Sequence, residues 1–501
     1  MMRLSPKRWL YLGHRWLGIA LCAFFAMWFF SGMVMMYVGY PKLTPAERLQ
    51  HLPSLAATAP LLGPAQALDR AGISGPLKEL RLAAASGGRA VYFATPSATK
   101  SSRATVIDAT SGEHLPPVDS AWALASAAAY GGSGADPRYL GSLDEDAFTH
   151  SRGLDAHRPL HRVELPDADK TWLYISGQTG EVVRDATRSE RLWNYAGAWI
   201  HWLYPFRGNA LDAYWSDIVN VLSIAGIAVA LAGTAVGLLR WRFTRTYRSG
   251  SRSPYPGGSM LRWHHVTGLL FALVTITWIF SGLMSMNPWR IFDSGAPPLQ
   301  TSALQGGPLV FGVQDATPQA LITAAGGSVR ELRWAPVLGK TTAFAQIGSG
   351  QPMLLDGRTA QPLALAPQTL GAAAARLLPY PVARMETLVD YDLYYYAREA
   401  HSMMGGSDRP LPIWRIVFDD PHATWVHLDP HAGSVLGRLD SRQRTKRWLF
   451  AMLHSWDWLP LLERRPLWDI TLLTLSLGGL ALSATGVVMG WRRLRRPARK
   501  A

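Results

Sequence analysis

Four long segments that are almost free of charged side chains constrain the fold of this chain more than any other feature. Each reaches the length of about 20 residues that crosses the roughly 30 Å hydrocarbon core of a bilayer. Charged residues make up only 17% of the 501 residues, below the roughly 25% of ordinary soluble domains. The sequence therefore predicts a membrane protein with four transmembrane helices. The segments run over 16–38, 216–239, 266–286 and 467–490.

Basic residues crowd the ends of these segments that would share one side of the membrane. Cytoplasmic loops carry an excess of Lys and Arg, so the pattern predicts that both termini and the loop 240–262 are cytoplasmic. The long regions 39–215 and 287–466 then lie outside. This distribution explains the net charge of +15, and nucleic acid is not expected as a partner. The basic clusters are Lys7 and Arg8; Arg240, Arg242, Arg245, Arg248, Arg252 and Arg262; and Arg492, Arg493, Arg495, Arg496, Arg499 and Lys500.

The predicted domain boundaries follow from the spans. The first span is expected to be retained, because its apolar run is longer than that of a signal peptide and no small-residue cleavage site follows Val38. The predicted ranges are 1–40 for the first transmembrane helix, 41–188 for the first outside domain, 189–245 for an interfacial helix and the second span, 246–258 for a cytoplasmic loop, 259–288 for the third span, 289–440 for the second outside domain, 441–495 for an interfacial helix and the fourth span, and 496–501 for a cytoplasmic tail.

The single cysteine, Cys22, lies inside the first span, so no disulfide is expected in the outside domains. Covalent c-type haem and cysteine-ligated iron–sulfur clusters are excluded because their Cys motifs are absent from the sequence. The sequence also contains no Gly-x-Ser-x-Gly, His-Glu-x-x-His, P-loop or Rossmann fingerprint. Hydrolysis is therefore not indicated, and if the chain moves electrons, the electron donor is another molecule.

The two halves of the chain repeat one another. Histidines, the Phe-Ser-Gly motif and a Thr-Trp strand motif recur at offsets of 250 to 253 residues (264 − 14 = 250; 454 − 201 = 253). The sequence therefore predicts two copies of one unit with the same membrane orientation, related by a pseudo-twofold axis along the membrane normal. The predicted copies are 1–245 and 258–495, and the matched stretches are 14–18 with 264–268, 30–33 with 280–283, and 171–182 with 424–435.

The outside regions show a recurring pattern of an apolar strand followed by a turn. The pattern begins the turn with a short polar residue and places Gly where left-handed backbone is needed. Alternating runs precede two of these turns, and Ala- and Leu-rich stretches predict short helices. Each outside domain is therefore expected to be α+β with antiparallel sheets, built from two small units. The four turns lie in 105–112, 174–180, 353–357 and 427–433.

These motifs together resemble the PepSY-associated transmembrane family of bacterial inner membranes, in which the strand–turn–strand unit after a helix is the PepSY domain. The resemblance covers nearly the whole chain and is weakest over 45–150 and 290–380. It implies α+β PepSY-like domains in the periplasm. The family includes iron-regulated proteins and ferric-siderophore reductases with b-type haem, and many members have no assigned activity. The matching stretches are 391–396, 409–412, 424–433, 448–457 and 465–469.

Four of the 14 histidines are repeated in place: His14 with His264, and His201 with His454. An ionisable residue in lipid faces the bundle interior or a cavity. Two imidazoles on neighbouring helices can be the axial ligands of one b-type haem. His14 precedes Ser31 by 17 residues, about 25 Å along a helix, so we expect two haems, one near each membrane face. The alternative is that the histidines are interfacial anchors.

Several other residues are weaker candidates. His265 could replace His264, and Gly18 and Gly268 would let a flat macrocycle approach the helices beside the inner histidines. A further possibility is a substrate pocket on the outer side for a metal chelate. Its candidate residues are Tyr394, Tyr395, His401 and His150, with Tyr396, Asp392 and Arg398 nearby.

The leading functional prediction is a di-haem inner-membrane protein that reduces ferric siderophore, or another ferric chelate, in the periplasm during iron uptake. Two other classes stay open: a PepSY-type binding or regulatory protein without redox activity, and a transporter of iron or siderophore. The transporter ranks third because the four spans are expected to be continuous and free of charges at mid-membrane, whereas transporters usually have broken spans. A Soret band in the purified protein would favour the redox function.

Overall fold

The structure is a computed structural model. It describes residues 5–97, 104–132, 134–406 and 408–495. The predicted cytoplasmic tail 496–501, with Arg496, Arg499 and Lys500, lies outside the described residues.

Three helices of the described chain are long and apolar enough to cross a membrane by themselves. They contain 30, 26 and 28 residues, and helices of this length span roughly 40 Å or more. The chain is thus a multi-pass membrane protein. In chain order the helices are α1 (Pro6–Met35), α2 (Pro45–His51), α3 (Pro64–Arg70), α4 (Ser120–Gly131), α5 (Arg188–Asn194), α6 (Trp215–Arg240), α7 (Met260–Leu270), α8 (Ala272–Ser285), α9 (Ser302–Gln305), α10 (Pro318–Ala324), α11 (Pro367–Ala374), α12 (Ser441–Lys446), α13 (Leu453–Ser455), α14 (Leu459–Leu462) and α15 (Leu467–Leu494); the long ones are α1, α6 and α15.

The third apolar segment is broken, and the expectation of four continuous spans is wrong here. Its two parts, α7 and α8, meet at an angle of 66°. Phe271 at the break has φ −103° and ψ 13°, outside the helical region. The Phe271 ring occupies the space that a Cβ on Gly478 of α15 would need. The bend therefore accompanies a close contact between an aromatic ring and a glycine, which a hydropathy profile does not record.

Glycines allow the apolar helices to approach closely, as is usual for helix packing in membranes. A Cβ on Gly226 would lie 3.0 Å from the Phe25 ring and 3.2 Å from Ile279. A Cβ on Gly479 would overlap the ring of Phe29. These contacts bring α1, α6, α8 and α15 together at the centre of the helical region.

Fourteen strands of the described chain form three antiparallel sheets, which confirms the prediction of an α+β body with antiparallel sheets. The strand orders are β10-β9-β8-β1-β2-β3, β4-β5-β6-β7 and β11-β12-β13-β14. The strands are β1 (Leu77–Ser86), β2 (Arg89–Pro96), β3 (Thr105–Asp108), β4 (Arg138–Leu143), β5 (Leu160–Glu164), β6 (Trp172–Ser176), β7 (Val182–Ala186), β8 (Glu331–Val337), β9 (Lys340–Gln346), β10 (Met353–Asp356), β11 (Val382–Leu388), β12 (Ile413–Phe418), β13 (Trp425–Asp429) and β14 (Ser434–Leu439).

The six-stranded sheet is shared by the two predicted outside domains. Strand β1 pairs with β8, and Arg81 lies opposite Arg333 at the centre of the sheet. Two carboxylates compensate this pair of like charges: Glu331 lies 3.0 Å from Arg81, and Glu79 lies 3.4 Å from Arg333. Leu80, Leu82 and Trp334 are buried in the core of the same sheet. The first strands of both halves therefore form one hydrophobic core.

Each four-stranded sheet packs against its own short helix. Ala123 and Ala127 of α4 lie in one core with Val163 and Leu173. The corresponding core of the other sheet combines α11 with strands β12 and β13 and contains Leu370, Ala374, Ile416 and Leu428. These two sheets lie directly before the segments that carry His201 and His454.

The strand–turn patterns found in the sequence form turns in the structure. Asp108 accepts hydrogen bonds from the backbone N–H groups of Thr110 and Ser111, and Gly112 has φ +80°. At the turn after β10 the left-handed residue is Ala360, with φ +57°, rather than Gly357. The prediction that a glycine takes the left-handed position is therefore wrong at one of the four turns. An alanine tolerates this conformation at some cost.

Candidate functional site

The two outer histidines sit on segments built in the same way. Each segment begins with a capped helix: Thr187 and Glu190 form a capping box on α5, and Asp440 and Gln443 form one on α12. Both helices continue into a π-helical turn, over Tyr195–Trp199 and Arg447–Met452, and the first turn is kinked at Gly197, whose φ of −102° and ψ of −108° are not helical. Such turns are rare and are frequent at functional sites.

Strained backbone follows each outer histidine. Leu203 has φ +55° and Trp456 has φ +47°, two residues after His201 and His454 respectively. Left-handed backbone at a bulky residue costs roughly 1–2 kcal/mol and persists where the surroundings impose it, often at a site. Sequence analysis missed this feature, because neither Leu nor Trp signals left-handed backbone.

The structure brings the four repeated histidines together in two pairs. The ring centroids of His14 and His264 are 6.2 Å apart, and those of His201 and His454 are 6.1 Å apart. We call them the inner pair and the outer pair. His201 lies at the level of Ser31, 17 residues along the continuous helix α1 from His14, so the two pairs are separated by about 25 Å along the helix.

Every one of these four rings uses its Nδ1 atom for a hydrogen bond. Nδ1 of His201 lies 2.9 Å from the Ser31 hydroxyl, and Nδ1 of His454 lies 2.9 Å from the Ser281 hydroxyl. At the inner pair, Nδ1 of His264 lies 2.9 Å from the Thr485 hydroxyl. The fourth contact, between Nδ1 of His14 and the carbonyl oxygen of Val229, measures 3.3 Å.

The partners determine which ring nitrogen carries the proton. Ser31, Ser281 and Thr485 each donate their hydroxyl proton to a carbonyl of their own helix. These hydroxyls can therefore only accept from the imidazole, as the Val229 carbonyl does for His14. We infer that all four rings carry the proton on Nδ1, which leaves the Nε2 lone pair available.

The Nε2 atoms distinguish the four paired histidines from His265. Within the described residues, no protein group hydrogen-bonds Nε2 of the four paired rings. His265, by contrast, uses both nitrogens: Nδ1 with Ser253 and Nε2 with the Gly237 carbonyl. A metal-binding histidine needs one free nitrogen and an acceptor for the other N–H. His265 lacks the free nitrogen, so it does not fit as a replacement for His264.

The spacing of each pair fits one metal ion between two imidazoles. Two nitrogens that bind a metal from opposite sides at about 2 Å put the ring centroids roughly 6.3 Å apart. In the described part of the chain, no group of three or more His, Cys, Asp or Glu side chains could hold a metal ion. A metal at either pair would thus need its remaining ligands from a non-protein group such as a macrocycle.

A cavity of about 270 Å³ surrounds the outer pair. Its walls are mainly aromatic and apolar and include Trp28, Phe29 and Trp278. A Cβ on Gly32 would lie 3.7 Å from the His201 ring, and one on Gly282 would lie 3.9 Å from the His454 ring. The two glycines therefore leave open space beside the rings, in which a flat group could lie.

Glycines on opposite helices flank the inner pair. A Cβ on Gly233 would lie 2.6 Å from the His14 ring, and one on Gly486 would lie 3.7 Å from the His264 ring. Gly18, chosen from the sequence, has open space where its Cβ would be, and a Cβ on Gly268 would contact Leu482 at 3.4 Å. The glycines in contact with the rings were therefore missed, because they lie on α6 and α15 rather than beside the histidines in sequence.

The four candidate residues of the predicted substrate pocket lie around the outside domains rather than in the walls of the cavity, whereas Arg398, which the sequence placed near them, lines the cavity. Tyr395 is buried against His427 and donates its hydroxyl proton to the Pro410 carbonyl. Burial raises the pKa of the Tyr395 phenol to about 12, which keeps it protonated. Tyr394 packs edge-on against Trp425.

His150 and His401 both lie near the segment 39–42 that follows α1. His150 is buried against Tyr204 and pairs with Glu145. His401 is half exposed, and its Nε2 lies 2.7 Å from Glu47. The structure thus places neither these histidines nor Tyr394 and Tyr395 in the walls of the cavity, and their role in a substrate pocket remains a prediction.

The sequence matches a known protein family over most of its length. The sequence model of a family described as the PepSY-associated TM region matches residues 11–493. No curated protein matches the chain. The matched range contains both histidine pairs and all three sheets.

Proposed function

The chain belongs to the PepSY-associated transmembrane family, and we propose that it is a di-haem electron-transfer protein of the bacterial inner membrane. It would pass electrons from an unidentified cytoplasmic donor to a ferric siderophore or another ferric chelate in the periplasm. The product of each one-electron step is iron(II), which oxygen ligands hold more weakly than iron(III). Reduction would in this way release iron during uptake.

The observation that carries the proposal is the hydrogen bonding and the spacing of the four imidazoles. Each has an acceptor for its Nδ1–H group and a free Nε2, and the rings form two pairs with centroids 6.2 and 6.1 Å apart. This is the arrangement that two axial ligands of one b-type haem need. When bound, haem supplies a one-electron couple that amino-acid side chains lack.

The residues of the chain would hold and insulate the electron path. Ser31, Ser281, Thr485 and the Val229 carbonyl orient the rings. Aromatic walls keep water away from the outer pair, which favours electron transfer over side reactions. Because the pairs are about 25 Å apart along α1, two sites rather than one would be needed to connect the two faces of the membrane.

We further propose four spans, with α7 and α8 together forming the bent third one. Both termini and the basic loop between α6 and α7 would be cytoplasmic, and all three sheets would be periplasmic. The positions of basic residues support this orientation. The central pairing of Arg81 with Arg333, residues 252 apart, supports an internal duplication with a pseudo-twofold axis.

The first experiment is a haem count on the purified full-length protein, expressed with ample haem. We expect a Soret band with low-spin character and two haems per chain by the pyridine haemochrome method. A matched control is His265→Ala. His265 lies beside His264 on α7, and both of its ring nitrogens are hydrogen-bonded to the protein. A wild-type count of zero would reject the proposal and return the four histidines to the role of interfacial anchors.

The bend between α7 and α8 favours a second candidate, a transporter of iron or siderophore, because transporters often bind their cargo at broken helices. Two results separate the functions. Chelate reduction by proteoliposomes with an enclosed reductant, without movement of the chelate itself, supports the redox protein. Accumulation of intact labelled chelate in haem-free vesicles would support the transporter.

A further inference from the structure

In the described part of the chain, one arginine and no lysine line the cavity around the outer pair. Arg398 belongs to the segment between β11 and β12 and lines the same cavity as His201 and His454. It is half-buried, and its guanidinium lies 5.7 Å from the centroid of the Trp468 ring. A guanidinium facing a largely apolar space loses hydration and needs an anionic partner.

The Asp457 carboxylate attracts the Arg398 guanidinium, but it is already bound to Arg447. Within the described residues, no carboxylate lies within 4.0 Å of the Arg398 guanidinium. The two neighbouring arginines are already paired: Arg447 with Asp457 at 2.7 Å, and Arg465 with Asp469 at 2.7 Å. These five side chains, Arg398 included, together carry one positive charge in excess.

Two contacts anchor the segment that carries Arg398. On one side, the Tyr396 hydroxyl bonds to the buried Asp457 carboxylate. On the other side, Lys42 donates hydrogen bonds to the carbonyls of Ser402 at 2.7 Å and Gly405 at 2.8 Å. The segment is thus attached to distant parts of the chain on both sides of Arg398.

We propose that Arg398 binds the carboxylate side chains of the macrocycle at the outer pair, that is, the propionates of haem. This assignment rests on the proposed function. An apolar cavity with two imidazoles inside and one unpaired guanidinium at its edge matches an amphiphilic ligand with a flat apolar body and a carboxylate at one end. The propionate edge would face the outside domain to which Arg398 belongs.

The test compares haem with its dimethyl ester, in which both propionates are neutral. Full-length protein carrying His14→Ala, which removes the inner site, is produced in cells starved of haem precursors and titrated with each ligand by its Soret absorbance. We expect this parent to bind haem about tenfold or more tighter than the ester, the effect of one charge-assisted hydrogen bond. Arg398→Gln should reduce the preference to within about twofold, and Arg398→Lys should restore part of it.

Arg465→Gln is the matched control, because Arg465 lies over the same Trp468 ring but is paired with Asp469 and does not line the cavity. It should keep the full preference for haem. The comparison of the two ligands in the parent needs no substitution at Arg398, so it holds even if Arg398→Gln fails to fold.

The outcomes separate the two proposals. If the parent binds neither ligand, the haem function and this assignment both fall. Equal binding of haem and ester by the parent would show that Arg398 does not bind propionate. A lipid carboxylate or phosphate as the partner of Arg398 would give this result. If Arg398→Gln keeps the parent's preference, another residue binds the propionates and the assignment alone is overturned.

Discussion

Replacing Ser281 by alanine removes the acceptor of the Nδ1–H group of His454, a contact of 2.9 Å. Ser281 is fully buried at 0% exposure, and its hydroxyl otherwise bonds only to the carbonyl of Trp278 on its own helix. The substitution therefore leaves one buried N–H without a partner and changes the shape of the site by a single oxygen atom.

The expected cost follows from that unpaired donor. A buried donor left without a partner costs about 1–3 kcal/mol, which corresponds to a loss of about 5- to 150-fold in affinity. Loss of an outer-shell partner of a metal-binding histidine typically costs 10–100-fold, which lies in the same range. The ring also becomes a weaker electron donor, so the midpoint potential of the outer haem should rise.

The assay is the rate at which haem leaves the outer site for an excess of apomyoglobin, together with a potentiometric titration. Ser285→Ala is the control: Ser285 lies on the same helix and lines the cavity, but its hydroxyl bonds to the Gly282 carbonyl and to no histidine. If Ser281→Ala and Ser285→Ala lose haem at equal rates and keep equal potentials, the hydrogen bond does not orient His454 as a ligand.

Three further predictions concern the histidine ligands, the carboxyl group of Asp185 and the orientation of the chain in the membrane. His14→Ala and His454→Ala should each lower the haemochrome count from two to one, and a variant that still holds two would show that the altered residue is not a ligand. Burial beside Glu47 raises the pKa of the Asp185 carboxyl to about 7. Between about pH 4 and pH 7 the folded state therefore keeps a proton that the unfolded state loses. The free energy of unfolding should fall by up to about 4 kcal/mol as the pH rises from 4 through 7. Thermal unfolding of Asp185→Asn should not show this decrease. A variant with the same pH profile as the wild type would contradict the prediction. An alkaline phosphatase fusion at Gly250 should be inactive, since we place that loop in the cytoplasm.

The sequence predicted the histidine pairs because a repeated sequence pattern indicates residues in equivalent positions, and the structure places the two members of each pair close together. His14 and His264 have no special local pattern, and only their shared place in two copies distinguished them. The hydroxyls that hold the outer rings could have been found as well, since Ser31 and Ser281 lie in the repeated Phe-Ser-Gly motif. Their importance becomes visible only when the distance to a histidine 170 or 173 residues away is known.

Other features depended on contacts that no local pattern encodes. The break at Phe271 lies in an unbroken apolar run without proline or charge, so hydropathy predicts a straight helix. Arg398 reaches the cavity because Tyr396 and Lys42 tie its segment to distant parts of the chain. The π-helical turns before His201 and His454 likewise follow from packing, because helix propensities do not distinguish a π turn from an α turn.

The pairing of β1 with β8 has a consequence for the synthesis of the chain. Strand β1 ends at Ser86 and its partner begins at Glu331, so roughly 245 residues must be made before the sheet can close. At about 5–20 residues per second, this takes on the order of 10–50 s. During that time β1 presents an unpaired edge, which is a template for pairing with other chains. The nascent first half is therefore the state of this protein most in need of a chaperone.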